Sequence, residues 1–147
     1  IWYITNISIW LCLLAFLGLQ LQGTLYNYYY VILRNRFDGD TTSRVFEDKT
    51  PVALEGEKQQ HVTILFGLYR VLYGLFDEVI YSIDRNADKG RILPNWLMTS
   101  VSTFGLGFQL LVIAILLVLG LKAIIIPFFL LYTFMIFVFV GIRKIFY

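Results

Sequence analysis

Oxygen-bearing side chains alternate along a short segment near the middle of the chain. Asp84, Asn86 and Asp88 occupy every second position between two predicted helices. Carboxylate and amide oxygens are the ligands that Ca²⁺ prefers, and a helix–loop–helix is a common frame for them. The spacing therefore suggests a calcium-binding loop, and the rest of the segment tests that assignment.

The segment resembles the calcium loop of an EF-hand at its first three ligand positions only. Gly90 and Ile92 each fall one position late, and the twelfth position holds Asn95 where a bidentate glutamate is needed. Three basic residues also cancel the negative charge of the loop: Arg85, Lys89 and Arg91. We interpret the segment as a helix C-terminus turned by Asn86, Asp88 and Gly90, and we predict no metal site.

The run from Asp38 to Arg44 also carries closely spaced acidic side chains. It resembles the aspartate-rich motif of the CDP-alcohol phosphotransferases, membrane enzymes whose motif begins Asp-Gly-x-x-Ala-Arg. Here the arginine falls one residue late, the alanine is missing, and the two later aspartates of the motif are not found. A turn with an Asx cap explains these residues.

The remaining residues cannot build a zinc or haem site. His61 is the only histidine and Cys12 the only cysteine, so neither has a second ligand of its kind. A glycine-rich phosphate loop is also missing, because Gly105 and Gly107 lie within an apolar segment rather than after a strand. We therefore predict no catalytic residue, no cofactor and no small-molecule substrate.

Small and polar residues inside or beside the apolar segments predict close helix packing. Without a hydrophobic drive between helices in lipid, small residues allow backbones to approach, and a buried glutamine needs a hydrogen-bond partner. The candidate helix-packing residues are Ser100, Thr103, Gly105, Gly107, Gln109, Gly67 and Gly74. An alternative is a polar lining to a pathway. The predicted spans contain no carboxylate, so a proton or cation relay lacks its usual parts.

The composition places these residues in an all-α membrane protein. Apolar residues make up 59% of the chain and charged residues only 15%, against about 45–50% and about 25% in soluble proteins. All carboxylates fall between Asp38 and Asp88, so a polar insert separates two apolar regions. The net charge of +2 is too small to indicate nucleic acid.

Three apolar segments have the length of transmembrane helices. The first runs from about Ile4 to Tyr30, with aromatic residues at both ends. The second and third, Leu97–Leu119 and Ile124–Ile142, are predicted to form a tight helical hairpin. Gly120 ends one helix, and Pro127 suits the first turn of the next.

The segment from His61 to Ile83 predicts an amphipathic helix. Its apolar residues recur at spacings of three and four, and a polar stripe recurs every seven residues through Thr63, Arg70, Asp77 and Asp84. We expect this helix to lie on the membrane surface or against protein, with Arg70 reaching water. A fourth span is the alternative, although an arginine near its centre would cost about 2.5–3.5 kcal/mol.

These features divide the chain into four parts and orient it. Residues 1–33 hold the first span and its aromatic belt, 34–60 a polar loop, 61–96 the amphipathic helix and a turn, and 97–147 the hairpin with its basic end. Most lysines and arginines lie in the connector 34–96, and Arg143 and Lys144 follow the third span. The positive-inside tendency places both on the cytosolic or matrix side.

The sequence favours a non-catalytic accessory subunit of a larger membrane complex, such as an energy-transducing complex of the mitochondrial inner membrane. Its expected partners are the lipid bilayer and other membrane subunits. A channel or transporter subunit that forms a pore on oligomerisation is the alternative. The third hypothesis is a lipid-modifying enzyme that uses the aspartates near Asp38 or Asp84 at the membrane face.

Overall fold

The computed structural model describes residues 7–37 and 49–147, and within these ranges the chain is helical and contains no strand. Two helical stretches are long and apolar enough to cross a membrane, Ile9–Arg36 and Lys122–Phe146. The α-helices in chain order are α1 Ile9–Arg36, α2 Gln59–Tyr69, α3 Leu75–Ile83, α4 Asn95–Ser102, α5 Leu106–Val118, α6 Ile125–Thr133 and α7 Met135–Phe146.

Helix α1 extends beyond the end that the aromatic residues predicted. It contains 28 residues and is about 42 Å long at 1.5 Å per residue. Arg34 and Arg36 lie in its last turn, where positive charge offsets the negative end of the helix dipole. The predicted start at Ile4 lies outside the described residues.

The turn between the last two apolar segments is the one that Gly120 predicted. Gly120 has a φ of 72°, a left-handed conformation that favours glycine. Its N–H donates to the carbonyl of Leu117 at 3.1 Å, and the N–H of Leu121 donates to that of Leu116 at 2.8 Å. These two bonds form a Schellman cap, which ends α5 and satisfies its last carbonyls.

The second apolar segment is bent rather than straight, which corrects the predicted helix Leu97–Leu119. α4 and α5 are inclined by 51° across a break of three residues. The hydroxyl of Thr103 donates to the carbonyl of Ser100 at 2.6 Å, and that of Ser102 donates to Thr99 at 2.7 Å. Gly105 then leaves the helical conformation with a ψ of 148°. Hydroxyls that compete for helix carbonyls bend helices in this way.

The third apolar segment begins with a 3₁₀ turn, Lys122–Ile124, and continues through α6 and α7. Pro127 falls within the first turn of α6, as predicted, where its missing N–H has no intrahelical partner to lose. A single residue, Phe134, separates α6 from α7.

The predicted amphipathic helix is present, but part of its polar stripe faces the interior of the protein. α2, the π-helical turn Arg70–Gly74 and α3 follow one another without a gap. Arg70 is exposed, as predicted, whereas Asp77 is half-buried and Asp84, directly after α3, is fully buried. Ile80 is the one residue of α3 buried in the described chain. The face 77/80/84 therefore packs against the protein, and the apolar stripe faces outward.

Helix α1 is the element on which the other helices assemble, since α3, α4 and α6 all pack against it. Gln109 of α5 bonds with Gln22, while Gly105 lies beside Tyr26, so α5 runs antiparallel to α1. α6 and α7 run parallel to α1. The Gln22 side chain of α1 bonds with that of Thr133 in α6, and further along both helices Tyr29 and Arg143 contact the same Asp84 carboxylate. The end of α1, the segment 84–91 and the end of α7 therefore meet at one end of the bundle.

Candidate functional site

Two buried polar clusters hold the helices together. The first, the glutamine cluster, consists of Gln22, Gln109 and Thr133 from α1, α5 and α6. The Gln109 Nε2 donates to Gln22 Oε1 at 3.2 Å, and the Gln22 Nε2 donates to the hydroxyl of Thr133 at 3.0 Å. That hydroxyl donates in turn to the carbonyl of Phe129 at 2.7 Å. The chain of hydrogen bonds crosses three helices near the midpoint of α1.

Gln109 also connects the bend between α4 and α5 to α1. Its amide lies 3.0 Å from the Phe104 carbonyl and 3.3 Å from that of Leu19. Gln22 is 0% exposed and Gln109 only 5% exposed. Leaving such groups without partners in a lipid-like environment costs free energy, so the cluster favours one arrangement of the three helices.

Gly18 permits the close approach of α1 and α6 on which the cluster depends. A Cβ atom at this position would lie 3.3 Å from both the Cβ and the Cγ2 of Thr133 and would collide with its hydroxyl. Any side chain here would therefore push Thr133 away from Gln22.

The second cluster, the Asp84 cluster, consists of Asp84, Arg143, Tyr28 and Tyr29. Arg143 forms a buried ion pair with the Asp84 carboxylate. The hydroxyl of Tyr29 donates to the other carboxylate oxygen at 2.7 Å, and the hydroxyl of Tyr28 donates to the Asp84 carbonyl at 2.8 Å. Asp84 is 0% exposed and Arg143 5% exposed, so the charges of this pair are shielded from solvent. The Arg143 Nε has no hydrogen-bond partner among the described residues.

Two arginine side chains from two different helices contact the segment 84–91. Arg36 at the end of α1 donates to the carbonyls of Asp88 and Gly90, the latter at 2.7 Å. Arg143 approaches the carbonyl of Asn86 at 3.4 Å. The side chain of Asp84, the first of the alternating oxygens, is already paired with Arg143. The predicted turn at the C-terminus of this helix is confirmed, because the N–H groups of residues 89 and 90 both donate to the Asn86 carbonyl.

Gly90 leaves room for the end of the chain at this turn. A Cβ on Gly90 would lie 2.8 Å from the Tyr147 carbonyl oxygen and 3.2 Å from Arg143 Nη1. The N–H of Arg91 donates to the same Tyr147 carbonyl at 2.7 Å. The backbone of 84–91 and the end of α7 are therefore in direct contact.

The structure places the predicted packing residues in two different settings. Gln109 and Thr103 are engaged within the chain, Thr103 through a contact with the Tyr132 hydroxyl. Gly105 lies against the ring of Tyr26, and the hydroxyl of Ser100 donates to a carbonyl of its own helix. The other three have open space where a Cβ would be: Gly67, Gly74 and Gly107.

Sequence analysis missed several members of the two clusters. Gln22 and Thr133 are polar residues inside predicted spans, and the signal that singled out Gln109 would have found them too. The sequence offered Asp84 as a calcium ligand, as part of a polar helix stripe or as a catalytic aspartate, and not as one half of a buried ion pair. Its partner Arg143 was considered only as a marker of orientation. Nothing in the sequence pairs these two, because they lie far apart along the chain.

The other sequence candidates do not join either cluster. His61 is exposed near the start of α2, and the motif from Asp38 to Arg44 lies outside the described residues. Within residues 7–37 and 49–147, no group of three His, Cys, Asp or Glu side chains could hold a metal ion.

The fold and these clusters define an all-helical chain that has the length and apolarity to associate with a membrane. Two helices are long and apolar enough to cross it, or three if the bent pair α4–α5 forms one span. Comparison with protein-family models, curated proteins and solved structures finds no match to this chain.

Proposed function

We propose that this chain is a three-span membrane protein that serves as a non-catalytic subunit of a larger membrane assembly. The spans are α1, the bent pair α4–α5, and α6–α7. The relative directions of the three support this topology, because α5 runs antiparallel to α1 and α6–α7 run parallel to it. The helix 59–83 lies at the membrane surface on the side where the Asp84 cluster joins the spans.

The observation that carries the proposal is the contrast between the inside and the outside of the bundle. Three polar side chains of the spans bond with one another in the glutamine cluster, and the hydroxyls of Ser100, Ser102 and Thr103 donate to carbonyls of their own helix. These groups therefore have little capacity left to bind a substrate. In the part of the chain that the structure describes, Gln109 is the only buried residue of α5, while Leu106 and Val118 are 68% and 87% exposed. A helix that is apolar all round packs against lipid or other apolar helices.

Three open glycines indicate where other subunits would pack. Gly107 lies on α5, and Gly67 and Gly74 lie on the helix 59–83, all with open space at the Cβ position. Small residues on lipid-facing surfaces allow a second helix to approach closely. A pore lined by Ser100, Thr103 and Gln109 has less support, because the Gln109 and Thr103 side chains are already engaged within the chain.

The charge distribution supports one orientation. Arg36 and Arg143 both contact backbone carbonyls of the segment 84–91 at one end of the bundle. The connector and the end of α7 therefore lie on the same side of the membrane in this topology. By the positive-inside tendency this side is the cytosol or an organellar matrix. An energy-transducing complex of the mitochondrial inner membrane is one assembly of this kind.

The test is extraction from native membranes in mild detergent, followed by native gel separation and mass spectrometry of the co-migrating proteins. We expect migration in a large complex of fixed composition. Gly107→Leu should release the chain from that complex without unfolding it, since a Cβ at position 107 meets none of the described residues within 4 Å. Val118→Leu, on the same helix at a position that is already apolar and 87% exposed, is the matched control. A wild-type chain that migrates alone would refute the proposal.

A further inference from the structure

The inward-facing polar stripe of α3 encloses a small cavity against α1. Thr24, Asn27, Tyr28 and Val31 of α1 line it from one side, and Asp77 and Ile80 line it from the other. The space open to the centre of a water molecule is about 10 Å³. A cavity of this size holds about one water molecule, and a water is stable there only with polar partners.

Among the described residues, Asp77 is the only carboxylate that lines this cavity, and none of them gives it a cationic partner. No residue in 7–37 or 49–147 forms an ion pair or a side-chain hydrogen bond with it. The neighbouring polar side chains, Thr24 and Asn27, are neutral. An ionised carboxylate that is half-buried among neutral groups loses hydration without gaining a compensating charge.

The other charged and titratable groups around Asp77 do not compensate the charge of its carboxylate. Tyr28 is the titratable side chain that α1 presents to the cavity. On the helix of Asp77 itself, the neutral side chains of Tyr73 and Tyr81 lie one turn to either side. Glu78 is exposed, Arg70 is exposed two turns away, and Asp84 is paired with Arg143. Desolvation by burial raises the pKa of Asp77 from its ordinary value of 3.8 to about 6.

We propose that Asp77 and the cavity beside it form a proton-binding site, and that its occupancy sets how firmly α3 docks on α1. A proton from solvent adds to the carboxylate and gives a neutral acid. The acid O–H then has the Asn27 amide oxygen, which lines the same cavity, as its acceptor. Because the neutral form removes the unpaired charge from the contact, protonation strengthens the docking.

The direction of the pH dependence follows from the raised pKa. Between the ordinary value of 3.8 and about 6, the undocked carboxyl is ionised while the docked one still holds its proton. Docking is therefore strongest at the acid end of this window and weakens as the pH rises through about 6. The full shift would change the docking equilibrium about a hundredfold, and partial exposure reduces this to about tenfold.

The experiment measures protonation and docking separately on the full chain in lipid nanodiscs. Infrared spectra of protein labelled with ¹³C-aspartate report the C=O stretch of the protonated acid, and hydrogen exchange reports the protection of residues 75–83. We expect a band that titrates near pH 6 and is absent in Asp77→Asn. Exchange in α3 should become about tenfold slower on acidification, after correction for the intrinsic rate, and this change should vanish in the variant.

Two further variants keep the proposal falsifiable if Asp77→Asn does not fold. Glu78→Gln, on the exposed neighbouring carboxylate, should leave both readouts unchanged. Asn27→Ala enlarges the cavity and admits solvent, so the titration should move toward the ordinary value for aspartate. The proposal is overturned if every aspartate titrates near pH 4, or if α3 exchange has the same pH dependence in Asp77→Asn.

Discussion

Replacement of Arg143 by methionine tests whether the Asp84 cluster holds the bundle together. Methionine keeps much of the volume and the flexibility of the arginine side chain but removes its charge. It would leave the Asp84 carboxylate 0% exposed with only the hydroxyl of Tyr29 at 2.7 Å. Removing one partner of a buried ion pair costs about 3–5 kcal/mol, because the other charge stays buried without compensation.

A double-mutant cycle separates this loss from the effect of changed packing. Asp84→Asn alone should also be destabilising, because it leaves the guanidinium of Arg143 unpaired. The double variant Asp84→Asn with Arg143→Met should recover about 1–3 kcal/mol of the summed losses, since neither charge then remains buried alone. The assay is reversible unfolding in mixed micelles with increasing denaturing detergent, followed by circular dichroism.

The matched controls are exposed residues close to the same cluster. Lys144→Met removes the neighbouring cation, and Asp88→Asn removes an exposed carboxylate from the same turn. Both should change stability by no more than about 0.5 kcal/mol, as surface substitutions do. If Arg143→Met costs no more than Lys144→Met, or if the cycle shows no coupling, the buried ion pair does not hold these elements together.

Two further substitutions test the backbone positions that shape the bundle. Gly18→Ala should cost about 1–3 kcal/mol, because the new methyl group collides with the Thr133 hydroxyl. Gly23→Ala is the control, because a Cβ there meets none of the described residues within 4 Å. Equal unfolding midpoints for the two variants would contradict the close contact between α1 and α6. Gly120→Ala should cost about 1–2 kcal/mol of unfolding free energy, because its φ of 72° is unfavourable for other residues. Gly107→Ala in the same micelle assay is the control. A loss of stability no larger than that of the control would be inconsistent with a Schellman cap at Gly120.

A fourth prediction concerns the glutamine cluster. Gln109→Leu removes the donor to Gln22, Phe104 and Leu19. It should lower the free energy of unfolding by about 0.5–2 kcal/mol, the range of values for hydrogen bonds between membrane helices. Gln22→Leu should cost a similar amount, and the two losses should not add, because both variants break the same bond. Additive losses would show that the two glutamines act independently.

The candidate site was predictable where it depends on local signals. Gln109 was found because a polar side chain inside an apolar segment needs a partner, and Gly120 because glycine favours the left-handed conformation of a helix cap. The segment 84–91 was correctly interpreted as a turn after a helix. In each case the deciding information lies within a few residues of the position concerned.

The orientation of the helix 59–83 was harder to predict from its pattern. A polar stripe at a spacing of seven shows that Arg70, Asp77 and Asp84 share a face, but periodicity does not show what that face contacts. In a soluble protein the polar face turns to water. Here the part with Asp77 and Asp84 turns to α1, because Tyr29 and Arg143 supply partners for the buried carboxylate of Asp84.

The sequence by itself determined the helical class, the apolar segments and the turn between the last two of them. These depend on composition, on segment length and on residues such as Gly120 that act on their own backbone. Only the tertiary structure decided that Gln22 meets Gln109 and Thr133 and that Asp84 meets Arg143. Each of these contacts joins residues distant in sequence, so it exists only once α1 has brought the other helices together.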